Sequence, residues 1–275
     1  MDNHTLRAAA PSGAMELWRS RDLIQRMVRR DITSRYRGSV LGLAWSMLNP
    51  LIMLGVYTFV FTVVFRARWG TGGDAQHAAF AVNLFVGIIV HGVLAEMLNR
   101  APGLVLANQN YVKKVIFPLQ VLPLVTLGSA LFHAATSLAV LVAAEFLILG
   151  YVPFTALLFP LVLAPLLLVT LGAGWLLASL GVFLRDIGQT MGLITTMLLF
   201  LSPIFYPASA LPPEFRVIMT LNPLTFIIEQ SRLVMIEGVL PNWWGLLLYA
   251  LAAWLFAWLG FTWFQKTRKG FADVL

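Results

Sequence analysis

Arginine side chains are concentrated in the first 37 residues, which contain eight of them. The four nearest the first long apolar stretch are Arg29, Arg30, Arg35 and Arg37. A guanidinium group donates two parallel hydrogen bonds to phosphate oxygens, so this cluster could bind a phosphate-bearing headgroup. Basic residues beside an apolar stretch also arise from topological bias and bind ordinary phospholipid. At the level of the sequence both interpretations stay open.

Other residue types that commonly carry catalysis are sparse. The chain has no cysteine, and its four histidines share no metal-ligand spacing. None of its lysines stands in a G-x-x-x-x-G-K-[ST] motif, and neither an H-E-x-x-H helix nor a G-x-S-x-G turn occurs. These absences argue against ATP hydrolysis, metal chemistry and nucleophilic catalysis, so we expect a non-catalytic chain that binds no cofactor of its own.

Four ionisable residues lie inside apolar stretches, namely His91, Glu96, His133 and Glu145. Such groups mark an ion path or a polar cavity by default. A proton-coupled carrier would need several acids converging at mid-depth, which this spacing does not indicate. We therefore expect neutral histidines bonded to neighbouring helices, and two glutamates that reach water near the ends of their spans.

The elements that position these residues follow from the composition. With 59% hydrophobic and 11% charged side chains and a mean hydropathy of +0.83, the chain is far less polar than a soluble domain. The composition therefore predicts an all-α polytopic membrane protein, in which each span needs about 20 residues. The net charge of +7 does not predict nucleic-acid binding, because the basic residues flank apolar stretches.

Six transmembrane spans are predicted. Their ranges are 40–65, 79–98, 118–149, 154–184, 188–205 and 243–264. The third is longer than a bilayer requires, so it must tilt, break or protrude, with Pro118 and Pro123 as the expected irregular points. The N-terminal region lacks a signal-peptide core, and fifteen of the nineteen basic residues fall on its side of the alternating loops. Both termini are therefore predicted to be cytoplasmic.

Three segments outside the spans have distinctive patterns. Residues 16–37 place apolar side chains on one helical face and arginines elsewhere, which predicts an amphipathic helix in the membrane interface; a solvated helix packed on a soluble domain is the alternative. Residues 101–117 predict a short helix for docking a partner, or a plain surface loop. Residues 206–242 contain five charges and two helix-start signals, which predict a re-entrant helical hairpin between spans five and six.

Five motifs, among them RDITSRYRGSVLGLAWSMLNPL at 30–51 and LNPLTFIIEQSR at 221–232, carry a family likeness. Together they resemble the membrane subunit of type-2 ABC exporters for polysaccharides, in the branch that handles O-antigen and teichoic acid. The likeness covers residues 16–270 in the same order. Its motifs are RDITSRYRGSVLGLAWSMLNPL (30–51), NQNYVKKVIFPLQVLPL (108–124), FLRDIGQ (183–189), LSPIFYP (201–207) and LNPLTFIIEQSR (221–232).

This resemblance implies a homodimer in the bacterial inner membrane, bound to two ATPase subunits that hold ATP and Mg²⁺. The implied cargo is a polyprenyl-pyrophosphate-linked glycan, whose headgroup the four arginines would bind. The implied ATPase-coupling residues are Asn108, Tyr111, Lys113, Lys114, Arg185 and Asp186. The implied exit gate comprises Pro203, Phe205, Tyr206, Pro207, Asn222 and Pro223.

Two other function classes are weighed against glycan export. A type-2 exporter of a small hydrophobic molecule, such as a drug or haem, would have the same architecture. A membrane enzyme of glycan assembly would need clustered acids or histidines facing one cavity, and the sequence shows no such cluster. The charge-poor, aromatic-rich spans suit a sugar chain, which presents C–H faces and hydroxyls.

Overall fold

A computed structural model describes residues 18–64, 75–112, 117–207, 212, 214, 219 and 221–275. All regular secondary structure in these ranges is helical, as predicted. The α-helices are α1 Arg21–Arg35, α2 Trp45–Thr58, α3 Ala75–Arg100, α4 Gln109–Val112, α5 Leu122–Leu149, α6 Phe159–Phe183, α7 Ile187–Leu201, α8 Pro223–Arg232, α9 Trp243–Thr267 and α10 Phe271–Val274. A π-helical turn, Phe59–Val64, continues α2, and a second, Leu233–Glu237, continues α8.

Five helical stretches in the described ranges are long and apolar enough to cross a membrane. They run over Gly42–Phe61, Phe80–Gly103, Leu119–Ile148, Phe154–Phe183 and Trp243–Val274. The protein is therefore a multi-pass membrane protein. The predicted span 188–205 corresponds to α7, whose 15 residues give a length of about 22 Å against a core of about 30 Å.

The long third stretch is irregular only at its start. Pro118 precedes a single 3₁₀ turn, Leu119–Val121, and Pro123 lies in the first turn of α5. From there α5 continues for 28 residues to Gly150, whose φ of 79° closes the helix. Proline is tolerated at these positions because the first amides of a helix have no intrahelical acceptor.

Glycines bring the central helices into close contact. The α3 span is the most enclosed, with 72% of its apolar window buried. Helices α6 and α9 cross where Gly172 lies against Gly260, so that a Cβ on Gly260 would overlap the main chain of Gly172. Small residues allow this approach in membranes, where packing between helices replaces the hydrophobic effect.

The apolar face of α1 packs against protein. Met27 is 8% exposed, and a Cβ on Gly128 of α5 would come within 2.5 Å of Val28. Interfacial burial of this stripe in lipid was the expectation, but part of the stripe instead attaches α1 to the bundle. We call the end of the bundle that carries α1, residues 101–112 and Arg268 the basal end, and the opposite end, which carries α8, the distal end.

Candidate functional site

Charged side chains from two helices and polar side chains from a third meet at the basal end. The Arg35 guanidinium of α1 donates to Glu96 of α3 at 2.5 Å, and Arg100 of α3 donates to Asp31 of α1 at 2.7 Å. Arg100 also reaches Glu96 at 3.2 Å, one helical turn away. We call these four residues, together with Ser129 and His133 of α5, the basal network.

Helix α5 completes the network with two polar side chains. Ser129 Oγ donates to Asp31 at 2.6 Å, and His133 Nδ1 lies 3.0 Å from Glu96. Nδ1 also lies 3.2 Å from the Arg35 guanidinium, and Nε2 lies 3.2 Å from the Tyr36 hydroxyl. The network therefore joins α1 to α3 and α5 through directional bonds.

The electrostatics of the α1 residues match this bonding. Burial alone would raise the pKa of the Asp31 carboxyl, but the hydrogen bonds from Arg100 and Ser129 outweigh it and hold the pKa below its ordinary value of 3.8. Asp31 is therefore ionised at neutral pH. Burial raises the pKa of Tyr36 above its ordinary value of 10, so its phenol stays protonated and can donate.

The four predicted headgroup arginines do not lie together as one group. Only Arg35 joins the basal network, where a carboxylate already engages it. Arg29, Arg30 and Arg37 have exposed side chains, and Arg30 donates to the Tyr111 hydroxyl at 3.3 Å. The structure thus leaves three arginines of the predicted cluster accessible from the basal surface.

Two polar cavities border the network. One of about 320 Å³ lies between α2, α3 and α5, with Arg35, Tyr36, Glu96 and His133 in its wall. The other, of about 430 Å³, lies between α1 and residues 103–108 and is lined by Arg30, Asp31 and Arg100, among others. Side chains of the network therefore face both cavities.

The predicted coupling segment packs on the bundle through its first half. Residues 101–108 contain two 3₁₀ turns, and the buried residues are Ala101 and Pro102 in the first turn and Leu104 and Val105 between the turns. The Pro102 main chain fills the space beside Gly181 of α6. These contacts attach the first half of the segment to the ends of α3 and α6, and its second half contains the short helix α4.

The individual coupling residues are placed as follows. Asn108 donates to the Leu104 carbonyl at 2.8 Å, and the Tyr111 ring stacks on Phe117 with centroids 4.2 Å apart. Arg185 and Asp186 are exposed in the turn between α6 and α7, and Gly188, just after them, lies near Pro102. Lys113 and Lys114 lie outside the described residues.

The predicted gate residues cluster at the distal end. Phe205 stacks between Phe61 and Phe200, and Tyr206 donates to the Phe200 carbonyl at 2.8 Å. Asn222 caps α8 by accepting from the Leu224 amide, and its own amide donates to Ser202 at 2.8 Å.

Three prolines delimit these elements. Pro203 is buried just after α7, Pro207 is partly buried, and Pro223 opens α8. Between them, only residues 212, 214, 219 and 221 are described, so the first helix of the predicted hairpin lies outside the described residues for most of its length. The second helix is α8.

Arg232 is the functional candidate that sequence reasoning missed, because it was counted only as an outside charge. It is 4% exposed at the end of α8, where it donates to the carbonyls of Asn83 at 3.1 Å and Ile204 at 3.0 Å. These bonds fix α8 to α3 and to the turn after α7. The signal in the sequence was weak, because Arg232 is one of five charged residues within 206–242.

The expectations for the ionisable residues within spans have different outcomes. His91 bonds to the Thr195 carbonyl of α7 at 3.0 Å, so the predicted helix-to-helix bond is confirmed. The prediction that Glu145 reaches water is wrong, whereas part of the Glu96 side chain stays exposed in the wall of a cavity. Glu96 is held in the basal network, and Glu145 is fully buried with neither carboxyl oxygen hydrogen-bonded.

Comparison with known proteins identifies the family. The sequence profile described as ABC-2 type transporter matches residues 22–236. The chain is 27% identical over 262 residues to the O-antigen export system permease protein RfbA of Myxococcus xanthus, covering 94% of this chain and 98% of the relative.

Further relatives have related names. A Klebsiella pneumoniae protein also named O-antigen export system permease protein RfbA is 27% identical, with 92% of this chain and 95% of the relative covered. The polysialic acid transport protein KpsM of Escherichia coli is 24% identical, with 80% and 82% covered. Because the family profile matches most of its length, the chain belongs to the ABC-2 type transporter family of membrane proteins.

Proposed function

We propose that this protein is the membrane subunit of an ATP-driven exporter that moves lipid-linked polysaccharide out of the cytoplasm. The observation that carries the proposal is near full-length similarity to permeases named for O-antigen export. Together with the polysialic acid transport protein, these relatives favour a glycan cargo over a small hydrophobic molecule. Because the sequence contains no P-loop motif, the proposal gives the binding of ATP and Mg²⁺ to a separate ATPase subunit.

Six crossings with both termini cytoplasmic are part of the proposal. Helix α7 starts near Pro102 at the basal end. The turn that follows α7 lies at the distal end, where the Ile204 carbonyl accepts a hydrogen bond from Arg232. Arg232 also donates to the carbonyl of Asn83, near the start of α3. Residues 187–204 therefore extend beside most of the α3 span, which supports α7 as a crossing. Arg268 donates to Gln120 at 2.7 Å, which supports both chain ends lying on the basal side.

The basal end is proposed to face the cytoplasm of the inner membrane and to dock the ATPase. Residues 101–112 and the turn at Arg185 and Asp186 lie there, and α1 would sit in the membrane interface beside them. Because Pro102 contacts both Gly181 and the start of α7, movement of one docking segment would reach the other. The distal cluster around Phe205 and Asn222 is proposed as the exit gate.

A second copy of the chain is proposed to cover part of the exposed apolar surface. Only 11% of the apolar window of the first span is buried, and α7 also carries exposed large side chains. These faces leave room for a homodimer with a passage between the copies. The exposed Arg29, Arg30 and Arg37 are proposed to bind the substrate's pyrophosphate on the basal side.

Deleting the gene and restoring it on a plasmid tests the function. We expect the deletion to remove surface glycan and to accumulate lipid-linked glycan inside the cell, and the plasmid to reverse both changes. The plasmid should fail when the P-loop lysine of the partner ATPase is changed to alanine. Normal surface glycan in the deletion strain would contradict the proposal.

A further inference from the structure

The cavity of about 320 Å³ between α2, α3 and α5, which we call the basal cleft, has a graded lining. Its wall on α3 extends from Glu96 to Phe85, a rise of about 16 Å along the helix. Charged and aromatic groups stand at the basal mouth, and apolar groups of α3 lie deeper. Its volume falls at the lower end of the range of small-ligand pockets, about 300 to 1,000 Å³.

Polar side chains line this cleft at a depth where lipid would surround an ordinary span. Asn49 lies seven residues inside the stretch Gly42–Phe61, which places it about 10 Å from the start of that span. Neither Asn49 nor Ser137, on the facing wall of α5, has a side-chain hydrogen bond to the rest of the described chain. Asn49 is exposed and Ser137 is half-buried, so both side chains are available to a hydrogen-bonding group that enters the cleft.

The charges at the mouth argue against a phosphate as that occupant. Arg35 and Arg100 are matched by Asp31 and Glu96 through the ion pairs of the basal network. His133 is already held by Glu96 and Tyr36. No net positive charge is left over in the network for a dianion, whereas neutral hydroxyl groups can both donate to these carboxylates and accept from these donors.

We propose that the basal cleft binds carbohydrate, receiving hydroxyl groups of the exported glycan before the chain enters the passage. Asn49 and Ser137 would supply hydrogen bonds to hydroxyls, and the partly exposed ring of Tyr36 would face sugar C–H groups. This assignment rests on the proposed function and adds a sugar site to it. It also places the pyrophosphate outside the cleft, on the exposed arginines of α1.

The natural lack of cysteine permits a direct test on the complete transporter, purified with its ATPase in lipid nanodiscs. Ser137→Cys changes a wall residue by one atom, and Ala139→Cys serves as the matched control because it lies on the exposed face of the same helix. We expect N-ethylmaleimide to label Ser137→Cys. Oligosaccharide released from the cell's own lipid-linked glycan should slow that labelling at least about fivefold, without affecting Ala139→Cys.

Each other result overturns the assignment. An unlabelled Ser137→Cys would mean a dry cleft, and labelling at the same rate with and without oligosaccharide would mean a site filled by water alone. Protection by inorganic pyrophosphate equal to that by oligosaccharide would assign the cleft to the phosphate group. Because wild-type complementation of the deletion strain is scored separately, failure of the sugar site is distinguishable from failure of the export function.

An export measurement completes the test. Asn49→Leu keeps the side-chain size and removes the amide, and we expect the initial rate of glycan export to fall about tenfold, as for loss of one good hydrogen bond. Met47→Leu, on the exposed face of the same helix, is the control and should export normally. Wild-type export by Asn49→Leu, with normal membrane assembly of both variants, would contradict the proposal.

Discussion

At the scale of single residues, the charges of α1 divide into two groups with different partners. Asp31 and Arg35 are four positions apart and therefore share the helix face that meets α3 and α5. Arg29, Arg30 and Arg37 occupy exposed positions. The first group attaches α1 to the bundle, and the second remains available for a ligand or for lipid.

Arginine-to-lysine changes separate these roles. If Arg29, Arg30 or Arg37 binds the pyrophosphate, its change to lysine should lower surface glycan several-fold, because the ammonium keeps the charge but loses the planar pair of donors. Arg35→Lys should act differently, weakening the attachment of α1 through its bond to Glu96. Surface glycan and thermal unfolding are measured for each variant. Full export by all three exposed variants would remove these arginines from the substrate site.

Asp31 predicts a pH dependence of stability. Its pKa in the folded protein is depressed, so its bonds stabilise the fold fully above its ordinary pKa of 3.8, and this contribution is lost as the pH falls through the lower folded value. The difference in Tm between wild type and Asp31→Asn in detergent should therefore be constant from pH 7 to pH 5 and shrink below pH 3.8. A difference that already shrinks between pH 7 and pH 5 would exclude this mechanism.

Sequence reasoning located these charged residues but could not pair them. Arg35 and Glu96 are 61 positions apart and Asp31 and Ser129 are 98 apart, so only the folded chain brings them together. One local signal existed, since Glu96 and Arg100 have the spacing of an ion pair within a helix. The bias of basic residues toward the cytoplasmic side also explains each arginine on its own, so nothing in the sequence called for an ion-pair partner.

At the scale of helices, the basal end contains two close contacts at glycines, neither of which leaves room for a Cβ on the glycine. Gly181 accommodates the main chain of Pro102, and Gly128 accommodates Val28 of α1. The first contact joins the coupling segment to α6, and the second joins α1 to α5. A force applied to either outer element would therefore be transmitted to a transmembrane helix.

The contact at Gly181 is tested by adding one methyl group. Gly181→Ala should destabilise the protein by about 1–3 kcal/mol, because the Pro102 carbonyl must move to admit the Cβ. Gly192→Ala in α7 is the control, since a Cβ there meets open space and alanine favours a helix by up to about 1 kcal/mol. Chemical or thermal unfolding in detergent measures both. Equal stability of the two variants would show that the loop shifts freely.

The coupling segment predicts a defined effect on assembly. Tyr111→Ala combined with Lys113→Glu and Lys114→Glu should weaken ATPase binding, because an aromatic anchor and its flanking charges are lost together. Tyr111→Phe keeps the stack on Phe117 and should bind normally. Co-purification of the tagged ATPase gives the readout. Unchanged recovery with the triple variant would make the segment a connector only.

The predicted end of the fifth span differs from the observed end of α7 for a clear reason. Hydropathy continues through Leu201, Pro203 and Phe205, so the pattern placed the end of the fifth span at residue 205, whereas the helix stops at Leu201 before the buried proline. The apolar stripe of α1 was predicted from the sequence of α1 alone. That sequence does not show whether the stripe faces lipid or α5, because the contact with α5 depends on Gly128 of that other helix.

At the scale of the whole molecule, the described chain has two differently organised ends. The basal end joins helices through ion pairs and exposed docking segments, and the distal end joins them through buried bonds to main-chain carbonyls. The basal end is suited to receive a soluble partner. The distal end carries the residues that we propose as the exit gate.

Cysteine labelling tests which end faces which compartment. In this cysteine-free chain, Glu237→Cys or Glu214→Cys should react with a membrane-impermeant maleimide added to the periplasmic side, whereas Asn110→Cys should react only after the inner membrane is opened. The side chains at positions 110, 214 and 237 are all exposed. Reaction of both ends from the same side would refute six crossings.

Arg232 also constrains the order in which the polypeptide is assembled during synthesis. A guanidinium entering the bilayer alone costs about 2.5–3.5 kcal/mol on insertion scales, so α8 cannot partition into lipid as an independent segment. Its acceptor at Asn83 is made 149 residues earlier and its acceptor at Ile204 only 28 residues earlier. The ribosome thus delivers α8 after both acceptors exist. A chain truncated between α7 and α8 would insert but lack its distal closure, whereas a chain without α3 would leave Arg232 unsheltered and become a substrate for membrane proteases.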